Sequence, residues 1–416
     1  MLKVKQKLGF GIFDLGGNML FTVMGFWCLN YLTDTVGLNA ALAGTALLIS
    51  KFWDAVTDPV MGYLSDRTRS RWGRRRPYLL FGAIPAFLTM WLFFTAPDFS
   101  SPAMLFVWAT LVLMALNTAS TIINIPYSSL TPELTDDYHE RTVLNGYRFG
   151  CAVFGTIIGA AAVQPIVGLA ADKRDGFSLL GMILGAVIAA TTLLCFVGTR
   201  EKKDIKIPHQ GFFASYKAVF TNRPFLIVLF TYAIHLTALT LVQGIVVYYT
   251  KYVYEREELT TPALVILLLV AMVFIPISVL VSKRIGKKNT YQICFILIAS
   301  ACLAIFALGH TLGVPFFMAV MVFAGIGVGF SYVAPFAMVP DAIEYEALQS
   351  GERKEGVYYG IWTFMSKVGQ SVAVFISGLV LSWGGYIADA VQSSKALWAI
   401  RLIIGPLPAC LFISAA

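Results

Sequence analysis

Apolar stretches of about 20 residues recur from one end of this 416-residue chain to the other, and each can cross ~30 Å of hydrocarbon as a helix. A helix satisfies its own backbone hydrogen bonds, so such a stretch can sit in lipid without stranding polar groups. Only 13% of the residues are charged and 58% are hydrophobic, where a soluble domain carries roughly a quarter charged residues. With a mean hydropathy of +0.74, the sequence reads as an all-α polytopic membrane protein.

The apolar windows predict spans near 8 to 33, 38 to 65, 78 to 96, 103 to 132, 142 to 171, 178 to 198, 223 to 252, 261 to 282, 291 to 309, 312 to 340, 356 to 384 and 395 to 415. The longest polar interruption, 199 to 222, carries Arg200, Lys202, Lys203, Lys206 and Lys217. It divides the chain into a six-span unit over 1 to 198, a linker, and a second six-span unit over 223 to 416. Of the 31 Lys and Arg residues, 22 fall at the N-terminus and in the even-numbered loops or the span ends beside them, six, Arg401 among them, are counted with the odd-numbered loops, and Lys51, Arg148 and Lys367 lie deep within spans. That bias predicts a multi-pass protein of the plasma (inner) membrane with both termini cytoplasmic. The net charge of +8 thus belongs to solvated loops and does not point to nucleic acid.

The densest basic cluster, Arg67 to Arg76 with Gly73, follows span 2. A second basic turn, Lys283 to Lys288 with Gly286, follows span 8. Their equivalent places in the two halves suggest an internal repeat. The six cysteines all fall in apolar stretches without metal or disulfide spacing, and no P-loop or G-x-S-x-G is present. An enzyme is therefore not expected, nor is an ATP-driven pump. Met1-Leu2-Lys3 runs into a long span without a small-residue cleavage site, so no removable signal peptide is expected. The apolar span ending at Ala416 lacks a charged tail, and the natural protein is expected to continue beyond it.

An ionisable side chain inside a span costs at least ~2.5 kcal/mol on insertion scales and is a functional candidate. Asp14 and Asn18 lie in span 1, Lys51, Asp54 and Asp58 in span 2, Asn124 in span 4, Arg148 in span 5 and Lys367 in span 11. Asp54 and Asp58 are four apart, on one helix face. They repel unless one is protonated or a cation lies between them. Thr57, Thr121 and Asn124 could complete an oxygen shell for Na⁺, with H⁺ or Li⁺ as alternatives. A structural pair between Lys51 and Asp54 is the other reading. Arg148 stays charged and needs an acceptor, either a fixed partner, Asp14 or Asp54, or substrate. Trp53, Tyr147, Tyr358, Tyr359 and Trp362 flank these polar residues, where a ring face suits the apolar side of a sugar.

The stretches F-G-I-F-D-L-G-G-N at 10 to 18, W-D-A-V-T-D-P-V-M-G-Y-L-S-D-R-T-R-S-R-W-G-R-R-R-P at 53 to 77 and I-N-I-P-Y-S-S-L-T-P-E-L at 123 to 134 carry a resemblance. So do Y-R-F at 147 to 149, P-D-A-I-E-Y at 340 to 345 and E-G-V-Y-Y-G-I-W-T-F-M-S-K at 355 to 367. The chain resembles the glycoside-pentoside-hexuronide:cation symporters, the major facilitator branch that includes melibiose permease. The resemblance implies a major facilitator fold of twelve transmembrane helices in two six-helix bundles, and a cation-coupled symporter that works as a monomer by alternating access. It implies cation binding by Asp54 and Asp58, with Thr121 and Asn124 nearby, and a substrate and coupling network that includes Arg148 and Lys367. The in-span polar residues Asp14, Asn18 and Asn124, with Arg148 and Lys367, and the flanking aromatics Tyr147 and Trp362 are the expected substrate contacts, and Thr57 is a further candidate for the cation. Where melibiose permease has acidic sugar-binding residues, this sequence has Asn18 and Asn124, and Ser128 stands at its span 4 aromatic. Galactoside specificity is therefore not implied. The same branch includes sodium-coupled lysophospholipid symporters, which leaves a lysolipid as the alternative substrate. A cytoplasmic gate is expected in which Arg74, Arg75 and Arg76 pair with Glu133, Asp136 and Asp137.

Overall fold

The computed structural model describes residues 2–135, 138–201, 222–332, 334–350 and 355–416. The chain forms two compact units, Met1–Pro208 and His209–Ala416. Helix is the dominant element throughout, as the apolar pattern requires.

In the first unit, α1 covers Val4–Asn30, α2 Ala40–Arg67, α3 Arg76–Phe93, α4 Pro102–Ser128, the short α5 Thr131–Leu134, α6 Tyr138–Val167 and α7 Lys173–Gly198. In the second, α8 covers Arg223–Tyr248, α9 Thr260–Ile285, α10 Lys287–Ala304, α11 His310–Ser331, α12 Ala334–Ser350, α13 Glu355–Trp383, α14 Ser394–Ile404 and α15 Pro406–Ala415. Among the described residues, ten stretches are long and apolar enough to cross a membrane. Helix α2 is not among them, because Lys51, Asp54, Asp58, Asp66 and Arg67 make it the most polar of the long helices. One of the ten, Lys287–Tyr345, contains two passes, since Gly313 at φ 73 breaks the helical path ahead of Pro315.

The two units share two local features. The first long helix of each, α1 and α8, ends in a five-residue π turn, Tyr31–Thr35 and Tyr249–Val253. The third long helix of each, α3 and α10, follows a glycine in the left-handed region, Gly73 at φ 106 and Gly286 at φ 88. These are the two basic turns singled out in the sequence, and only a residue without Cβ takes that conformation at no steric cost.

Close backbone approach positions the functional helices. A Cβ on Gly11 of α1 would stand 2.9 Å from the Tyr147 carbonyl carbon of α6, and one on Gly159 would stand 2.7 Å from Met19 O. Gly155 lies against Leu15 O still more tightly. Gly155 and Gly159 form a G-x-x-x-G face, which lets helices approach where apolar lipid offers no drive to bury side chains. On the other side of α1, Gly9 meets Gly198 of α7. The last pass is broken at Gly405, between α14 and α15. Arg401, counted with the odd-numbered loops in the sequence, sits inside α14 and donates from Nη2 to Phe306 O at 2.8 Å.

Candidate functional site

Helices α2 and α4 of the first unit are laced together by polar contacts. Asn117 Nδ2 donates to Ser50 O at 3.0 Å, Trp53 Nε1 donates to Thr118 Oγ1 at 2.9 Å, and Thr121 Oγ1 lies 2.9 Å from Asp54 Oδ1 and 3.0 Å from Asp58 Oδ1. The i, i+4 spacing on α2 puts the two carboxylates on one face, and the packing of α4 brings one hydroxyl to both. A threonine hydroxyl has a single proton. Once it is given to one aspartate, the other faces an oxygen lone pair as well as its carboxylate neighbour. A proton on an aspartate, or a cation among these oxygens, would relieve the repulsion between the two carboxylates.

Asp54 is buried and Asp58 half-buried. Pro59 lies within α2 and has no N–H for the Ala55 carbonyl one turn back, which leaves a backbone oxygen beside Asp54 available to a cation. The Thr57 hydroxyl donates to Asp54 O at 3.1 Å, so it presents only its lone pairs to a ligand. Asn124 is exposed, one turn beyond Thr121 on α4. Lys51 is half-buried and forms no ion pair among the described residues. Nor does any group of three or more His, Cys, Asp or Glu side chains among them suit a metal.

A second cluster joins α1, α4 and α6. Arg148 Nε donates to Asp14 Oδ2 at 2.6 Å, and its Nη2 reaches Asp14 Oδ1 at 3.4 Å. Tyr127 Oη donates to the same Asp14 Oδ2 at 2.6 Å and lies 3.1 Å from Phe10 O. The guanidinium also sits over the Tyr127 ring at 4.7 Å. Of the two partners the sequence offered for Arg148, the structure selects Asp14. Asn18 Nδ2 donates to Asp14 O at 2.8 Å, and Tyr147 is half-buried next to Arg148.

The remaining expected residues are placed as follows. Trp362 is 4% exposed and stacks on Tyr232 of α8 with ring centroids 4.0 Å apart, inside an apolar cluster of the second unit. Lys367 is half-buried on α13. Arg75 Nη1 donates to Ser65 Oγ at 2.6 Å, and Arg76 Nη2 to Phe196 O at 2.7 Å. Asp136 and Asp137, and the side chain of Glu133, lie outside the described residues. Among the described residues, Glu201 meets the arginine turn and accepts the backbone N–H groups of Arg74, Arg75 and Arg76 at the start of α3. An anion there is favoured by the unpaired N–H groups and the helix dipole.

Sequence reasoning missed Tyr127, Glu201 and Arg401. Tyr127 stands in the 123 to 134 stretch, but nothing in the sequence marks which helix its hydroxyl meets. Glu201 carried no signal, because its partners are backbone groups.

A family model described as MFS/sugar transport protein matches residues 9–416. The chain is 29% identical to an isoprimeverose transporter of Lactiplantibacillus pentosus, over 97% of this chain and 85% of that protein. It is 28% identical to the putative glycoside/cation symporter YagG of Escherichia coli K12, over 99% of this chain and 90% of that one. Among solved structures, a bacterial homologue of the human lysosomal transporter Spinster superposes with a TM-score of 0.73 at 13% identity, covering 100% of this chain and 98% of that one. The nucleoside transporter NupG gives 0.65 at 16%, covering 99% and 98%; at those identities the likeness speaks for the fold. The all-helical major facilitator fold, the in-span charges and the family match lead to one conclusion: this chain is a multi-pass membrane transport protein, not an enzyme, and belongs to the MFS/sugar transport protein family.

Proposed function

We propose that this protein is a Na⁺-coupled symporter of a sugar or glycoside, with the coupling ion at Asp54 and Asp58. The observation that carries the reading is the single Thr121 hydroxyl shared by two carboxylates at 2.9 and 3.0 Å. Relatives named for glycoside/cation symport, isoprimeverose and sulfoquinovose support a sugar substrate, and their names cover sugars with and without a sulfonate. In this reading Asp14, Asn18, Asn124, Tyr147 and Arg148 of the first unit, with Trp362 and Lys367 of the second, contact substrate. Residues 199 to 222 link two six-helix bundles, both termini are cytoplasmic, and Arg74 to Arg76 belong to the cytoplasmic gate.

Coupling follows from α4. Thr121 and Tyr127 are six residues apart, about 9 Å along the helix axis, with Asn124 between them. A cation that draws Asp54 and Asp58 together through Thr121 also sets the register of Tyr127 on Asp14, and with it the orientation of Arg148. By linkage, substrate raises cation affinity by the factor with which the cation raises substrate affinity.

The test is uptake of a labelled sugar and lysolipid panel between pH 5 and 8, with and without Na⁺. The parent, Asp54→Asn and Asp58→Asn are compared. Na⁺-stimulated sugar uptake is expected in the parent only. Normal Na⁺-driven accumulation in either mutant would return that carboxylate to a structural role, and uptake that rises with acidity without Na⁺ would make the coupling ion a proton.

A further inference from the structure

We infer that Asp14 occupies the anion seat of Arg148 and so restricts this transporter to uncharged glycosides, excluding sugars that carry a carboxylate or sulfonate. The inference rests on the reading of the Asp14–Arg148 cluster as a glycoside site and names its substrate class.

A guanidinium grips a carboxylate or sulfonate through paired N–H groups on one edge. In Arg148 the edge formed by Nε and Nη2 is already turned to Asp14, at 2.6 and 3.4 Å. Its face lies over Tyr127. The two Nη1 N–H groups and the second Nη2 N–H are left, and with the guanidinium charge already met by Asp14 they suit the hydroxyls or ring oxygen of a neutral sugar.

Asp14 is held as firmly as Arg148. Its side chain is 14% exposed, and Oδ2 also accepts the Tyr127 hydroxyl. A substrate anion that displaced it would leave a desolvated carboxylate facing a second negative charge, the arrangement that costs most when a partly buried pair is broken.

Within the first unit, the described neighbours carry no surplus positive charge to compensate. Asn18 and Asn124 are neutral amides suited to hydroxyl groups. On α2, Asp54 and Asp58 with Lys51 sum to one negative charge. What the first unit offers a ligand is therefore a neutral ion pair, amides and aromatic rings, which fits a polyhydroxyl ring without a charged substituent.

The experiment uses the full chain in nanodiscs with Na⁺ and measures binding of nitrophenyl glucoside, xyloside and galactoside against nitrophenyl glucuronide. The parent is expected to bind at least one uncharged glycoside tenfold or more tighter than the glucuronide. Asp14→Asn, which frees the guanidinium edge, is expected to shift that ratio at least tenfold towards the glucuronide, whereas Asp14→Glu keeps the parent's order. A merely structural Asp14 would weaken all ligands alike.

A parent that prefers the glucuronide overturns the inference, as does a folded Asp14→Asn protein with an unchanged ratio. If Asp14→Asn does not fold, the parent's own ratio decides. Failure of every glycoside to bind, with or without Na⁺, overturns the sugar reading itself and this inference with it.

Discussion

The Tyr127 hydroxyl donates to Asp14 Oδ2 at 2.6 Å, the same oxygen that receives Arg148 Nε at 2.6 Å. Tyr127→Phe removes that donor while keeping the ring packing on Phe10 and Phe13, at 4.8 and 4.2 Å between centroids. A hydrogen bond to a charged group contributes about 1.5–3 kcal/mol, so glycoside Kd is expected to rise about tenfold or more in equilibrium binding. The Na⁺ activation constant should change far less. The opposite pattern would assign Tyr127 to the cation side.

Thr121 contributes one oxygen to both carboxylates. Thr121→Ala is expected to raise the Na⁺ concentration for half-maximal uptake by about tenfold, the equivalent of ~1.4 kcal/mol. Thr121→Ser, which keeps the hydroxyl, should stay close to the parent. Equal loss in both variants would point to the methyl group and packing.

Gly155 has no room for a Cβ against Leu15 O, whereas a Cβ on Gly150, also on α6, would meet nothing within 4 Å. Gly155→Ala is therefore expected to lower stability by about 1–3 kcal/mol through overpacking and to weaken glycoside binding by moving Arg148 away from Asp14. Gly150→Ala should be neutral or stabilising by up to ~1 kcal/mol, from helix propensity alone. Thermal unfolding in detergent of the two variants checks the contrast.

Gly73 combines φ 106 with a Cβ position 2.5 Å from Glu201 Oε2. Gly73→Ala must either strain the backbone or expel the carboxylate from the start of α3, at a cost of about 1–3 kcal/mol. Glu201→Gln retains the shape and loses the charge, and it should cost less, about 0.3–1 kcal/mol. A protein in which Glu201→Gln is the more damaging change would show that the charge has a role beyond capping, such as in the gate.

Glu140 lies just outside the apolar span Val143–Val167. The Lys7 ammonium, 3.1 Å from Oε1, and the Leu2 N–H, 3.1 Å from Oε2, hold its carboxyl below the ordinary 4.5. A depressed pKa means that the folded state releases this proton more readily than the unfolded one. Its stabilisation is thus fully present above pH 4.5 and is lost as pH falls through the lower folded value. Unfolding of the parent and Glu140→Gln from pH 6 to pH 3 should show the parent more stable at the upper end and the gap closing below pH 4.5. A gap independent of pH would mean that the charge of Glu140 is immaterial.

The sequence by itself determined the properties that follow from distance along the chain. Span length and the Lys and Arg distribution made the chain a polytopic helical protein. The polar interruption near 199 to 222 predicted a division into two halves. The four-residue step from Asp54 to Asp58 put two carboxylates on one face, since helix geometry alone decides that. Tertiary structure decided which groups those residues meet. Thr57 and Thr121 were equal candidates beside the aspartates, but Thr57 turns its proton to its own helix while the packing of α4 carries Thr121, 67 and 63 residues along the chain from the two aspartates, to both oxygens. Arg148 takes Asp14 because the glycine faces of α1 and α6 let those backbones touch. Glu201 binds three backbone N–H groups, which no pattern of side chains encodes. Partners on different helices are set by how surfaces interlock, and interlocking depends on every side chain in the interface at once.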